Sequence, residues 1–320
     1  MHQITRIILS LTAAATCALL AGPVPAADAA ASPPALTPLG SGPYPAIMEV
    51  DPRLPTHTLY RPAALPAAGK LPIVAWGNGG CANSGNAFRW FLSDIASYGY
   101  LVLAVGPIGP LPRFPPASMA PLPPSSATIA GALKLPPPAS HSAQLLDAIN
   151  WALAENARPA SQFYQRLDPQ AIAVMGQSCG GAQALEVSAD PRIRTTVIWN
   201  SGLFPQPTRM GGGKELSKAD LKHLHAPIAY ISGDEEDIAY VNANDDFKVI
   251  TDLPVLRAYE HGVTHGGTYN ERNGGEFAGV AVGWLNWQLK ADQRSRLMFV
   301  GVDCGLCVNP HWVVHSKNLH

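Results

Sequence analysis

A Gly-Gln-Ser-Cys-Gly pentapeptide at residues 176–180 has the residue types and spacing of a nucleophilic turn. Small and branched apolar residues at 171–175 predict a buried strand before it, and residues 182–187 predict a helix after it. A sharp turn between strand and helix projects the Ser178 hydroxyl clear of the backbone, and the flanking glycines let the two elements approach closely. We therefore expect Ser178 to be a catalytic nucleophile. The alternative is a glycine-rich turn with a solvated serine.

A serine hydroxyl is a weak nucleophile and needs a general base, together with a third group that orients the base. An acidic turn follows the strand predicted at residues 228–232, and it carries four carboxylates between residues 234 and 237. We favour Asp237 as the orienting group, because the apolar pair Ile238-Ala239 should fold against the core and hold its carboxylate inward. Asp234 is the alternative acid.

The loop after the next predicted strand, at residues 253–258, contains two histidines. His265 is followed by two glycines and is the favoured general base, whereas His261 is the alternative. Serine, then acid, then histidine is the chain order of the α/β-hydrolase fold. The pattern therefore predicts a triad of Ser178, His265 and Asp237.

Acyl transfer also needs two backbone N–H groups that face the charge developing on the substrate oxygen. One donor should be Cys179, the residue after the nucleophile. The other should come from the glycine-rich loop that follows a buried strand at residues 71–76, from Asn78 or else from Gly79. Glycine at position 79 would also let the backbone contact the substrate. The alternative is a plain tight turn.

Strands and helices alternate along the chain, which predicts a mostly parallel sheet with helices on both faces. Besides the strands above, we expect strands at residues 47–50, 57–61, 100–105 and 195–199. Helices are expected from Asn83 or Ser84 to about Tyr98, and at residues 141–155, 214–224, 242–251 and 277–289. The predicted class is α/β, with a single catalytic domain over residues 43–320.

Prolines are concentrated between residues 106 and 138, directly after a predicted strand, in a stretch with few charges. Loops longer than about 15 residues in a compact domain are usually functional or disordered. We interpret this stretch as an insertion that borders the active site. The alternative is a surface loop without contact to the substrate.

Residues 1–29 have the features of a secretory signal peptide: a charged start at Arg6, an apolar run over residues 7–21 and an Ala-Asp-Ala cleavage site at 27–29. The apolar run is short and rich in alanine, which disfavours a transmembrane helix. We expect a secreted or periplasmic protein in which residues 30–42 form a flexible leader.

Removal of the signal peptide takes Cys17 away and leaves four cysteines, which allow three disulfide pairings. An oxidising compartment favours disulfides, and we favour the pairs Cys81–Cys179, near the nucleophile, and Cys304–Cys307. The alternative for the second pair is a zinc site with His311 and His315, although the spacing is shorter than a zinc-finger loop.

The composition narrows the possible partners. The 320 residues are 47% hydrophobic and 14% charged, with a formal net charge of -1. This balance gives no electrostatic footprint for nucleic acid or an anionic membrane surface, and no other run is long enough to span a bilayer. The expected partner is a small-molecule or polymeric ester, and the predicted triad requires no metal or organic cofactor.

The chain resembles exported α/β-hydrolases of the dienelactone-hydrolase type, close to the bacterial cutinase and polyester-hydrolase group. The matching stretches are residues 42–45, 73–78, 96–100, 176–180, and 233–239 with His265. The resemblance implies an ester hydrolase, strengthens Asp237 as the acid, and implies that Trp199 helps to line the acyl pocket. The sequence differs from the polyester hydrolases at Cys179, where they have Met, and in a loop after residue 77 that lacks their aromatic residue.

The expected reaction is hydrolysis of carboxylic esters through an acyl-enzyme. One alternative is amide or peptide hydrolysis by the same triad, but peptidases of this fold usually carry an added propeller or cap domain. Another alternative is a non-catalytic binding protein with an inactive pocket. The complete set of serine, acid and histidine in the expected order argues against it.

Overall fold

The computed structural model describes residues 40–111 and 137–320. The predicted signal peptide, residues 30–39 of the leader and residues 112–136 of the proline-rich insertion lie outside the described residues. Within the described part of the chain, no helix is long and apolar enough to cross a bilayer.

Nine strands of the described chain form one sheet in the order β1-β2-β4-β3-β5-β6-β7-β8-β9. They are β1 Ala46–Glu49, β2 His57–Pro62, β3 Leu71–Gly77, β4 Leu101–Val105, β5 Leu167–Gln177, β6 Thr195–Trp199, β7 Ile228–Gly233, β8 Val255–Glu260 and β9 Trp312–Lys317. The pairings from β4 through β8 are all parallel, and antiparallel pairings add β1, β2 and β9 at the two edges. The predicted α/β class with a mostly parallel sheet is confirmed.

Helices cover both faces of this sheet. They are α1 Arg89–Ser97, α2 Ala143–Ala157, α3 Cys179–Val187, α4 Tyr240–Val249, α5 Gly275–Lys290 and the short α6 Gln293–Arg296. Alternate residues of the central strands enter two separate cores, because successive side chains of a strand point to opposite faces. On β3, for example, Val74 and Trp76 belong to the core beneath α1 and α5, whereas Ile73 and Ala75 belong to the core beneath α2 and α3.

The first helix begins later than the sequence pattern indicates. We expected it to begin near Asn83 or Ser84, but α1 begins at Arg89. The preceding backbone packs against β2 and the end of β4: a Cβ at Gly85 would lie 2.1 Å from Thr58 Oγ1. The Gly85 N–H donates to the Pro107 carbonyl, so this segment bonds to a neighbouring loop rather than to its own turn.

One further expectation for secondary structure was wrong, and one strand was not anticipated. The polar stretch 214–224 forms only a 3-10 helix, Lys218–His223, which begins with a capping box between Ser217 and Asp220. The tail, for which no element was predicted, contributes β9, which pairs antiparallel with β8 and covers that edge of the sheet.

Candidate active site

The turn that carries Ser178 connects β5 directly to α3. Its φ of 53° and ψ of -117° are strained for a residue with a side chain. The neighbouring glycines make the turn possible, since a Cβ at Gly176 would lie 2.1 Å from the Gly180 carbonyl oxygen. The hydroxyl of Ser178 therefore projects from a tight, fixed turn at the carboxyl edge of the sheet.

His265 lies in the loop after β8 and contacts both of the other predicted triad residues. Its Nε2 is 2.9 Å from Ser178 Oγ, and its Nδ1 is 2.7 Å from Asp237 Oδ1. An ionised carboxylate only accepts hydrogen bonds, so Nδ1 carries the proton and Nε2 can accept from the serine hydroxyl. The imidazole is half-buried, with 29% of its side chain exposed.

Asp237 is buried, and its carboxylate is held by several donors. Oδ1 also accepts from the Ala239 N–H at 2.9 Å, and Oδ2 accepts from Asn200 Nδ2 at 2.8 Å and from the Gly233 N–H at 3.2 Å. Burial alone would raise the pKa of Asp237, but His265 and the hydrogen bonds together hold that pKa below its ordinary value. The carboxylate is thus kept ionised beside the imidazole.

The side chains of the alternative acid and base lie near each other and do not share the hydrogen bonds of Ser178 and His265. Asp234 Oδ2 accepts from the Gly262 N–H at 2.8 Å and is 3.9 Å from His261 Nδ1. His261 is exposed at the surface of the loop. The geometry therefore favours Asp237 over Asp234 and His265 over His261.

Two residues that sequence reasoning missed support this arrangement. Asn200 directly follows β6, and besides its bond to Asp237 its Oδ1 accepts from the Tyr269 hydroxyl. Gln177 precedes the nucleophile, and its Nε2 donates to the His265 carbonyl at 3.0 Å. Both residues end parallel strands, where α/β folds gather functional groups, and this position is the signal that could have identified them.

The loop after β3 lies against the first turn of α3. The side chain of Asn78 is buried and fixes the loop: Oδ1 accepts from Trp76 Nε1, and Nδ2 donates to the Val105 carbonyl. The N–H of Cys179 has no acceptor among the described residues. Gly79 lies so close to Gln177 that a Cβ there would be 1.9 Å from its Oε1. The two predicted oxyanion donors thus belong to adjacent backbone segments.

Both favoured disulfides are present. Cys81 bonds to Cys179 across the two segments, and Cys304 bonds to Cys307 within the tail. The second bond consumes both thiols of the alternative zinc site. Within residues 40–111 and 137–320, no cluster of three or more His, Cys, Asp or Glu side chains is arranged to hold a metal ion.

The indole of Trp199 is fully buried in an aromatic cluster rather than exposed beside Ser178. Its ring packs edge-on against Phe91, with 5.1 Å between centroids, and contacts Phe277 at 5.5 Å. This geometry gives no support to the prediction that Trp199 lines an acyl pocket.

A sequence model of the PET hydrolase-like family matches residues 125–294, which is just over half of the chain. The chain belongs to the PET hydrolase-like family. Membership confirms the resemblance to polyester hydrolases and the α/β-hydrolase fold, and it makes ester hydrolysis the reaction class. No curated protein matches the chain. The PET hydrolase-like region contains Ser178, Asp237 and His265, but neither the loop after β3 nor the tail that holds Cys304 and Cys307.

Proposed function

We propose that this PET hydrolase-like protein is a serine esterase in which Ser178, His265 and Asp237 act as a catalytic triad. The proposal rests above all on the position of His265, whose two ring nitrogens lie 2.9 Å from Ser178 Oγ and 2.7 Å from Asp237 Oδ1. An imidazole between a hydroxyl and a buried carboxylate can take a proton from one side while the other side stabilises the resulting charge.

In the acylation half, Ser178 Oγ attacks the ester carbonyl carbon while its proton passes to His265 Nε2. Asp237 stays ionised and stabilises the imidazolium that forms. The carbonyl oxygen becomes negatively charged and is held by the N–H groups of Cys179 and Asn78, or of Gly79. The imidazolium then protonates the departing alcohol, and the acyl group remains bonded to Ser178.

In the deacylation half, water replaces the alcohol. His265 takes a proton from the water, whose oxygen attacks the acyl carbon, and the same oxyanion donors stabilise the second tetrahedral intermediate. The imidazolium returns the proton to Ser178 Oγ as the acid product leaves. The protein's own side chains carry each proton in both halves.

The proposed substrates are carboxylic esters, either small molecules or polyesters. We place the enzyme outside the cytoplasm, secreted or periplasmic, because its two disulfides persist best in an oxidising compartment and residues 1–29 are predicted to be a signal peptide. Both disulfides are consistent with export.

Labelling with a fluorophosphonate tests the proposal, since this reagent reacts with activated serines. The mature protein should be labelled stoichiometrically, and peptide mapping should find the adduct on Ser178. The same preparation should hydrolyse p-nitrophenyl esters, and a series of rising acyl length beside a polyester film would define the substrate class. An unlabelled, folded protein that leaves all of these esters intact would exclude a serine esterase.

A further inference from the structure

The two halves of the proposed oxyanion hole come from different elements. Cys179 begins α3, whereas Asn78 and Gly79 follow β3. The segments touch through their backbones: a Cβ at Gly180 would lie 2.1 Å from the Gly77 carbonyl oxygen and 2.7 Å from the Asn78 nitrogen. Their separation therefore sets the distance between the two N–H donors.

A covalent bond crosses this junction. Cys179, itself a proposed donor, is bonded through its sulfur to Cys81. Cys81 closes the turn that holds the other donors, because its N–H donates to the Asn78 carbonyl at 3.2 Å, and the N–H of Ala82 donates to the Gly79 carbonyl at 3.2 Å. The disulfide is thus attached to one donor residue directly and to the other through a single turn.

The surroundings hold this bond in place. Cys81 is fully buried and Cys179 is 3% exposed. The Met210 carbonyl oxygen lies 2.9 Å from Cys179 Sγ, and the Cys81 carbonyl accepts from the Ser140 hydroxyl at 3.0 Å. The bridge therefore lies under neighbouring loops rather than at the surface.

We propose that the Cys81–Cys179 disulfide is a positioning element that sets the spacing of the oxyanion donors. This inference rests on the proposed esterase function. Without the bond the two segments can separate, so the donors stabilise the tetrahedral state less while ester binding is little changed. Loss of the bond should therefore lower kcat rather than raise KM.

A disulfide that closes a loop between residues 98 positions apart also stabilises the fold in general. Cys304–Cys307 supplies the matched control, since it is remote in sequence from the oxyanion segments and spans only three positions. A transition-state analogue distinguishes positioning of the oxyanion donors from general stabilisation of the fold. A bond that only stabilises the fold does not change the affinity for the analogue as long as the protein stays folded.

The experiment compares C81A/C179A with C304A/C307A and the parent enzyme, at a temperature where circular dichroism shows all three folded. The measurements are kcat and KM for a p-nitrophenyl ester and the Ki of an alkyl trifluoromethyl ketone, which forms a tetrahedral oxyanion on serine. We expect C81A/C179A to lose about 10²-fold in kcat and a similar factor in ketone affinity, with KM changed less than about threefold. The control pair should match the parent.

Unchanged kcat and ketone affinity in folded C81A/C179A would overturn the inference, as would a loss confined to KM. Either result leaves the esterase proposal intact, because the activity and fluorophosphonate labelling of the parent enzyme test that proposal separately from this comparison.

If C81A/C179A does not fold, stepwise reduction of the disulfides in the parent enzyme tests the inference instead. A dithiol transfers two electrons and two protons to the S–S bond, which leaves two cysteine thiols and converts the reductant into a cyclic disulfide. Cys307 is exposed, so Cys304–Cys307 should open first without effect. The inference is supported if kcat falls in step with thiol formation at Cys81 and Cys179 while the circular dichroism spectrum stays native. Retained activity, or loss only as the fold is lost, overturns it.

Discussion

The side-chain amide of Asn200 donates to Oδ2 of Asp237 over 2.8 Å, while Oδ1 of the same carboxylate faces His265. Asn200 is fully buried and has a φ of 41°, a left-handed conformation that Asn and Asp adopt more readily than most residues. The Tyr269 hydroxyl donates to the Asn200 Oδ1 and so directs Nδ2 toward the acid. The amide thus supports the orientation of the proposed triad.

Asn200→Asp keeps the shape and the backbone preference of this residue but replaces the donor with a second carboxylate. A hydrogen bond to a charged group contributes about 1.5–3 kcal/mol, so we expect kcat/KM to fall at least about tenfold at neutral pH. Tyr269→Phe, which leaves the amide in place, should have a smaller effect.

The stability of Asn200→Asp should also depend on pH. The lowered pKa of Asp237 stabilises the wild-type fold above the ordinary carboxyl range, and this contribution is lost as the pH falls through the native pKa. In Asn200→Asp two adjacent carboxylates repel each other when both are ionised, so ionisation of Asp237 becomes destabilising. The loss of unfolding free energy relative to the wild type should therefore be largest at neutral pH and shrink toward pH 4. A deficit independent of pH, measured by urea unfolding, would contradict this electrostatic explanation.

Asp237→Asn should lower kcat by about 10⁴-fold, because an amide at this position no longer holds the imidazole in the required tautomer. Asp234→Asn is the matched control, since Asp234 contacts the Gly262 N–H and the exposed His261 rather than His265. We expect the control to retain kcat within about threefold. Equal losses in the two variants, measured with one p-nitrophenyl ester, would rule out the assignment of Asp237.

Two Gly→Ala substitutions should have opposite effects on stability. A Cβ at Gly176 would lie 2.1 Å from the Gly180 carbonyl, so Gly176→Ala should destabilise the protein by about 3 kcal/mol or more. Gly279 lies on the exposed face of α5 with open space around it, and Gly279→Ala should stabilise by about 0.5–1 kcal/mol. Denaturant unfolding measures both changes in stability. A Gly176→Ala variant as stable as the parent would contradict the close packing of the turn that carries Ser178.

Glu260, at the end of β8, should make stability fall as the pH rises. Burial, with smaller contributions from Glu276 and Glu271, raises the pKa of Glu260 to about 7. The native state then binds a proton that the unfolded chain has already released, so stability declines between about pH 4.5 and 7. Glu260→Gln should raise Tm at pH 8 and change it little at pH 5. Substitution of the exposed Glu235 by Gln should leave Tm nearly unchanged at both pH values.

Much of this arrangement follows from local patterns in the sequence. The apolar run before residue 176 and the glycines around Ser178 indicate a strand, a turn and a helix, and the loops with Asp237 and His265 each follow a recognisable strand. The alternation of strands and helices was enough to predict the fold class. These features can be predicted because each depends on residues that are close together in the sequence.

What could not be predicted depends on contacts between distant segments. Gln177 reaches a carbonyl 88 positions away, and Asn200 meets an acid 37 positions away. Edge strand β9 was missed because most of its residues are exposed or only partly buried, and they show little apolar alternation. Trp199 was expected beside the substrate, but its indole packs into a core built from α1 and α5.

The central claim, that Ser178 is the nucleophile, is tested most directly by the turnover of Ser178→Ala. We predict a folded protein whose kcat for a p-nitrophenyl ester is lower than that of the parent by about 10⁴–10⁶-fold, and which no longer reacts with a fluorophosphonate. Ester hydrolysis within about tenfold of the parent would contradict the claim.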